Sequence, residues 1–214
     1  MTESTIAATR LIELSVEMNR QGLPLMQRVL PTHAAAEQWA HYPPDDAVSP
    51  KSGSRYFYHS HPPKEREVGE HGHFHLFLPL SLFPKESAVS APPDDGSKRA
   101  EVVHFAALSV NSAGVPAQLF TVNRWVTDEW LFPAEAIMEH INAFDLGGAD
   151  GDELVNGWLT AFVLLAKNDI AGLLGERDTV LAAMDWPGED RSMETMSAKV
   201  IDLQALLERA FASA

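Results

Sequence analysis

The stretch that decides the fold runs Arg55-Tyr-Phe-Tyr-His-Ser-His61 and, after the polar segment Pro62 to Glu70, His71-Gly-His-Phe-His-Leu-Phe-Leu78. Both runs are aromatic-rich and alternate with a period of two, as strands with two unlike faces do. Residues i, i+2 and i+4 of a strand point the same way. His71, His73 and His75 are therefore expected on one face, and Gly72, Phe74, Leu76 and Leu78 on the other. By the same parity His59 and His61 stand together, opposite Tyr56, Tyr58 and Ser60. If the strands pair through Pro62 to Glu70, opposed Cβ atoms lie about 4.5–5.5 Å apart, and the two histidine rows become one cluster.

Outward from this pair, two further strands are expected over Glu101 to Val110 and Gln118 to Thr127, joined by Asn111-Ser-Ala-Gly-Val-Pro116, which has hairpin-turn chemistry. Four sequential strands make an antiparallel meander the simplest sheet. Residues 84–100, rich in Pro, Ser, Asp and Lys, read as an exposed loop that need not be ordered. Helical spacing occupies residues 4–20 until Gly22-Leu23-Pro24, and a short helix is expected from His33 to His41, capped by Thr32 and ended by Tyr42-Pro43-Pro44. The stretch from Pro43 to Ser54 reads as turns. Beyond Pro133 the pattern predicts helices over Pro133 to Phe144, Asp152 to Leu174, Glu176 to Met184 and Arg191 to Phe211, with Gly147-Gly148 and Gly175 as breaks. Helices, then strands, then helices make an α+β chain: an antiparallel four-stranded sheet at about 55–127 flanked by N-terminal and C-terminal helices, in a single domain over 1–214.

Composition narrows the chemistry. The chain has 214 residues, with 16 Lys and Arg against 30 Asp and Glu, for a net charge of −14. No basic footprint for nucleic acid is present. Cysteine is absent, which removes thiolate nucleophiles, disulfides and iron–sulfur ligation, so any metal must be held by nitrogen and oxygen. Nine histidines are present, and five of them (His59, His61, His71, His73, His75) fall within seventeen consecutive positions. The first residues carry Glu3, Glu13 and Glu17 and no basic region followed by an apolar block, so a cytoplasmic protein is expected. The longest apolar stretch, Trp158 to Ala166, is less than half of a bilayer span, and no membrane segment is expected.

An isolated His-X-His on an exposed strand is commonly a solvated edge that takes up nickel or zinc adventitiously. Two such motifs flanking a predicted hairpin favour a ligand set instead. Reach limits its size. His71 and His75 are about 13 Å apart at roughly 3.3 Å per residue, so one ion is expected to take ligands from both strands: His59, His61, His73 and either His71 or His75. Neutral imidazole suits iron, copper, zinc or nickel, and the sequence does not select among them. Glu70, next to His71, is a candidate ligand, ligand-orienting carboxylate or general base, against the plainer reading of a solvated loop acid. Arg124, beside Asn123, is placed in a strand that ought to be apolar; it suits a substrate anion or, equally, a buried ion pair. Tyr58 is expected near the open coordination position. His104 fits the same sheet face or, more simply, a hydrogen-bonded core histidine, and Trp125, Trp130 and Trp158 suit the core. His33 and His41 have no partner that the sequence identifies. No glycine-rich phosphate loop, nucleophile elbow or His-Glu-X-X-His helix is present.

The segments His41-Tyr42-Pro43, Tyr56-Phe57-Tyr58-His59-Ser60-His61, Glu70-His71-Gly72-His73-Phe74-His75, Leu119-Phe120-Thr121-Val122-Asn123-Arg124-Trp125-Val126-Thr127 and Asn156-Gly157-Trp158-Leu159 resemble a bacterial domain-of-unknown-function family. The likeness runs from the first helix to about residue 184 and implies no activity. The loop between the second and third strands and the C-terminal helix look like additions to the family pattern, suited to covering a site mouth or to self-association. The resulting expectation is a metal-dependent enzyme acting on a small molecule, with a slight lean to an iron or copper oxidoreductase because tyrosine and tryptophan are near the imidazoles. The alternatives are a metal-buffering or delivery protein and a pH-sensitive interaction protein whose histidine strand charges near pH 5.5.

Overall fold

The computed structural model describes residues 1–30, 37–185 and 190–212. The two histidine-bearing runs are strands side by side. β2 (Arg55–His59) and β3 (Gly72–Pro79) pair antiparallel, with Phe57 opposite His75, Tyr58 opposite Phe74 and His59 opposite His73. β4 (Val102–Val110) and β5 (Pro116–Val122) continue the sheet as a hairpin, in which the Asn111 side chain accepts hydrogen bonds from the Ala113 and Val115 amides. The α+β class stands, but the sheet has six strands where four were expected. β1 (Tyr42–Val48) adds to the free edge of β2 and β6 (Thr195–Val200) to that of β5, so spatial and chain order coincide and neighbouring strands all pair antiparallel.

Both additions are edge strands, and edges are where strand grammar is weakest. β1 reads Tyr-Pro-Pro-Asp-Asp-Ala-Val, and its prolines are tolerated because an edge strand need not donate on its outer side. β6 reads Thr-Met-Ser-Ala-Lys-Val, and its Met196 and Val200 form a helical spacing with Leu203 beyond it. The helix expected from Arg191 to Phe211 is therefore β6 plus α7 (Leu203–Ala212).

α1 (Glu3–Arg20) starts at Thr2, whose hydroxyl accepts from the Thr5 amide. α2 (Leu25–Val29) is short. Of the helix expected from His33 to His41, residues 33–36 lie outside the described residues and 37–41 are turn and irregular backbone. The strand expected to reach Thr127 stops at Val122, because the Asn123 side chain accepts from the Arg124 amide and starts α3 (Arg124–Thr127). α4 (Ala134–His140), α5 (Glu153–Leu165) and α6 (Lys167–Ala182) follow. The break between the last two falls at Ala166, with a 69° bend, while Gly175 lies inside α6. Among the described residues no single helix is long and apolar enough to cross a membrane; only this bent pair, taken together, has the length and composition. Residues 84–100 are mostly exposed, yet Arg99 braces them internally through Asp95 at 2.8 Å and ties them to Asp128 at 2.5 Å.

The helices bury one face of the sheet. Tyr56, Tyr58, Phe74, Leu76, Leu78, Phe105 and Leu108 pack with Leu11, Leu14 and Met18 of α1, Trp158 and Phe162 of α5 and Leu173 of α6 in one core. Burying such side chains stabilises the fold by roughly 1.5–3 kcal/mol each. The opposite face carries two small apolar clusters outside that core, Phe57 with Phe77 and Val102, and Ala107 with Phe120 and Val122. The histidines stand on this second face.

Candidate metal centre

Strand pairing brings the imidazoles of His59 and His73 together across β2 and β3, Nε2 to Nε2 at 2.8 Å. His61, just past the end of β2, turns its Nε2 to within 3.2 Å of that of His59. His75, one pleat along β3, completes a trio: ligand nitrogens of His59, His73 and His75 all lie within 4.8 Å of one another. Nitrogens bound to a common ion at roughly 2.0–2.1 Å stand about 3 Å apart, so only small side-chain adjustments separate this trio from a coordination shell.

Hydrogen bonds behind the rings aim them. Glu70 Oε1 accepts from His73 Nδ1 at 2.6 Å and from the Ser109 hydroxyl at 3.1 Å, and Glu70 Oε2 accepts from the Glu67 amide at 3.3 Å. With its Nδ1 proton committed to Glu70, His73 presents a lone pair at Nε2. That is the carboxylate–histidine arrangement found behind metal-ligating imidazoles. His75 Nδ1 is 3.1 Å from His104 Nε2. His104 reaches this face because of a β-bulge: Leu76 pairs with Ala106 but Phe77 with His104, so one extra residue in β4 sends Phe105 into the core and His104 toward His75.

His71 does not join the group. It precedes β3, and its Nδ1 lies 2.6 Å from the Tyr58 hydroxyl, while its carbonyl accepts from Ser60 Oγ. Tyr58 is fully buried on the helix-covered face, so the expectation of a tyrosine beside the open position is corrected: strand alternation puts it on the opposite face from His59. Gly72 permits this crossing, since a Cβ there would collide with the Tyr58 hydroxyl and the His59 carbonyl. Arg124 is not among the residues that line the histidine cleft. It is 1% exposed at the start of α3, where its Nη1 donates to Asp128 Oδ1 at 3.0 Å. This is an ion pair between a buried guanidinium and a half-exposed carboxylate.

The imidazoles open onto a cleft of about 850 Å³ whose lining includes Trp39, His41, Arg55, Phe57, Phe77 and Phe120. Trp39 packs on His61 with ring centroids 4.3 Å apart. His41 stacks on Phe57 at 3.8 Å, and its Nδ1 is 2.9 Å from Asp46 Oδ1. Sequence reasoning named no partner for His41, and missed Asp46 because it sits in a stretch read as turns.

Burial favours the neutral form of His59, His75 and His104. Burial first, and then neighbouring imidazoles, push His59 down to about 2. His104 falls to about 3, through burial, Arg177 and His73, and His75 lies well below its ordinary value. His61 and His71 are lowered mainly by burial. Burial raises the Glu70 carboxyl, but its hydrogen bonds outweigh this and hold it below its usual range. Burial pushes the Tyr58 phenol up.

An unfolded chain takes up protons on histidine near pH 6.5, whereas the folded, metal-free protein keeps His75 and His104 neutral far below that. Between those values the unfolded state binds more protons, so stability is complete above pH 6.5 and is lost as pH falls. Each of these two buried imidazoles contributes a slope of up to about 1.4 kcal/mol per pH unit. Thermal unfolding of metal-free protein is therefore expected to shift to lower temperature between pH 7 and 5; a midpoint constant across that range would contradict the burial of neutral rings.

Compared with known protein families, residues 5–201 match a domain of unknown function, DUF6969. The chain belongs to this family. No curated protein and no solved structure matches it. The matched DUF6969 segment encloses all six strands, the 84–100 loop and every residue of the histidine cluster, and leaves α7 outside. The likeness, expected to end near residue 184, thus extends to 201, and α7 falls beyond it.

Proposed function

We propose that this DUF6969 protein is a metalloenzyme that acts on a small molecule at a mononuclear centre held by His59, His73 and His75, with His61 beside them. The observation that carries this reading is the convergence of three buried or half-buried imidazole nitrogens on the floor of a cleft large enough for a ligand. His73 is fixed by Glu70, His75 is backed by His104, and the apolar side chains of Phe57 and Phe120 keep water from the flanks. An ion so held would act as a Lewis acid or, if iron or copper, as a redox centre. The lean toward redox chemistry rested partly on Tyr58, which faces away, so the proposal commits to metal-dependent catalysis and leaves iron, copper and zinc together. A pH switch is less well supported, because the depressed proton affinity of His59, His75 and His104 leaves these rings uncharged near pH 5.5.

An enzyme site keeps a coordination position for substrate, whereas a buffering site closes its shell. Cobalt(II) loaded into the protein should give visible d–d bands that shift when azide is added, through access from the cleft. Bands that ignore saturating azide would favour the buffering or delivery alternative.

A further inference from the structure

The end of the cleft away from His61 is built differently from the histidine floor. Arg55, Phe57 and His59 alternate along β2 on one face, with Phe77 directly across from Arg55 on β3. Arg55 and His59 are four residues apart, about 13 Å along the strand at roughly 3.3 Å per residue. Phe57, Phe77 and Val102 fill the interval as an apolar patch separate from the main core.

The Arg55 side chain is only 26% exposed, yet among the described residues its guanidinium makes a single hydrogen bond, from Nη1 to Asp46 Oδ2 at 3.4 Å. Its Nε is buried without an acceptor. A guanidinium offers five N–H donors in a planar fork that matches a carboxylate, and leaving such donors unmet inside a cleft is costly. Asp46 steadies the arrangement: it holds Arg55 through Oδ2 and His41 through Oδ1, from a left-handed backbone at φ 56° that few non-glycine residues adopt. The opposite end is acidic, since Glu65, Glu70 and Glu194 act on His61 there. The cleft is thus polarised, with Arg55 and its partner Asp46 at one end and an excess of carboxylates at the other.

We propose that the cleft takes a hydrophobic monocarboxylate, with the carboxylate on Arg55, the apolar body on Phe57, Phe77 and Val102, and the far end directed at the His59, His73 and His75 centre. The placement of the far end rests on the metalloenzyme reading; the Arg55 contact does not. The acidic end disfavours dicarboxylates, whose second carboxylate would lie there.

Octanoate, octanamide and octylamine titrated calorimetrically into chelator-treated protein test the Arg55 contact independently of any metal. Octanoate is expected to bind, octanamide at least about tenfold more weakly, and octylamine more weakly still. Arg55→Met should lower octanoate affinity about ten- to a hundredfold, the range for charge-assisted hydrogen bonds. Arg55→Lys, which keeps the charge and loses the fork, should fall between, and melting curves check that both variants fold. Octanoate binding that is undetectable, unchanged in Arg55→Met, or weaker than that of octylamine overturns the proposal. In cobalt-loaded protein the terminal methyl of octanoate should relax faster than its α-methylene. The reverse order would mean that the carboxylate ligates the ion, which also overturns it. If cobalt does not bind at all, the metalloenzyme reading fails while the Arg55 titrations still decide the anion site.

Discussion

Replacing His59 and His73 together by alanine is expected to reduce affinity for a divalent transition metal by at least about a thousandfold. Structural zinc sites gain about 10–16 kcal/mol from four ligands, or roughly 2.5–4 kcal/mol per ligand, so losing two removes about 5–8 kcal/mol, more than a thousandfold. The two rings face each other at 2.8 Å and have no role in the main core, so the variant should remain folded. Glu70→Gln provides a graded comparison. It leaves all the imidazoles in place but weakens the acceptor on His73 Nδ1, and loss of such a partner typically costs ten- to a hundredfold in metal affinity. Competition against a chromophoric chelator measures all three proteins. A double variant that binds like the parent would place the site elsewhere, and an unaffected Glu70→Gln would mean that Glu70 does not orient His73.

The face between the histidines makes the opposite prediction. Phe74 sits between His73 and His75 in sequence but points into the helix-covered core, with no exposed surface. Phe74→Ala should destabilise the fold by about 3–5 kcal/mol through lost burial and the cavity left behind. For a chain of this size that corresponds to a fall of roughly 6–20 °C in melting temperature. His75→Ala, one residue away on the other face, should lower metal affinity while moving the metal-free melting temperature far less. Equal stability losses for the two substitutions would contradict the division of the sheet into a packed face and a chemical face.

That division was legible in the sequence wherever alternation was strict. The parity of β2 and β3 placed His59, His73 and His75 together and Phe74 with Tyr56 and Tyr58, because a pleated backbone leaves a residue little choice of side once its strand is fixed. His71 escaped the rule because β3 begins only at Gly72, and a residue outside the ladder is free to turn its ring to Tyr58. The expectation that His104 shares the imidazole face was open until the bulge in β4 set its direction, and a bulge is a property of pairing between strands that no single run displays. β1 and β6 were missed for a related reason. Half of an edge strand's hydrogen bonding is unused, so prolines, aspartates and helix-favouring residues survive there, and the strand is defined by its neighbour more than by its own composition. Arg124 was misplaced by one local decision, the capping of α3 by Asn123, which ended a strand that hydropathy alone would have extended.

The central claim is that the imidazoles of β2 and β3 hold a resident ion. Elemental analysis by plasma mass spectrometry, on protein purified without an affinity tag and without added metal, tests it most directly. The account predicts close to one equivalent of a single transition metal per chain, lost in the His59→Ala, His73→Ala variant. Substoichiometric traces of several metals, equal in parent and variant, would contradict it.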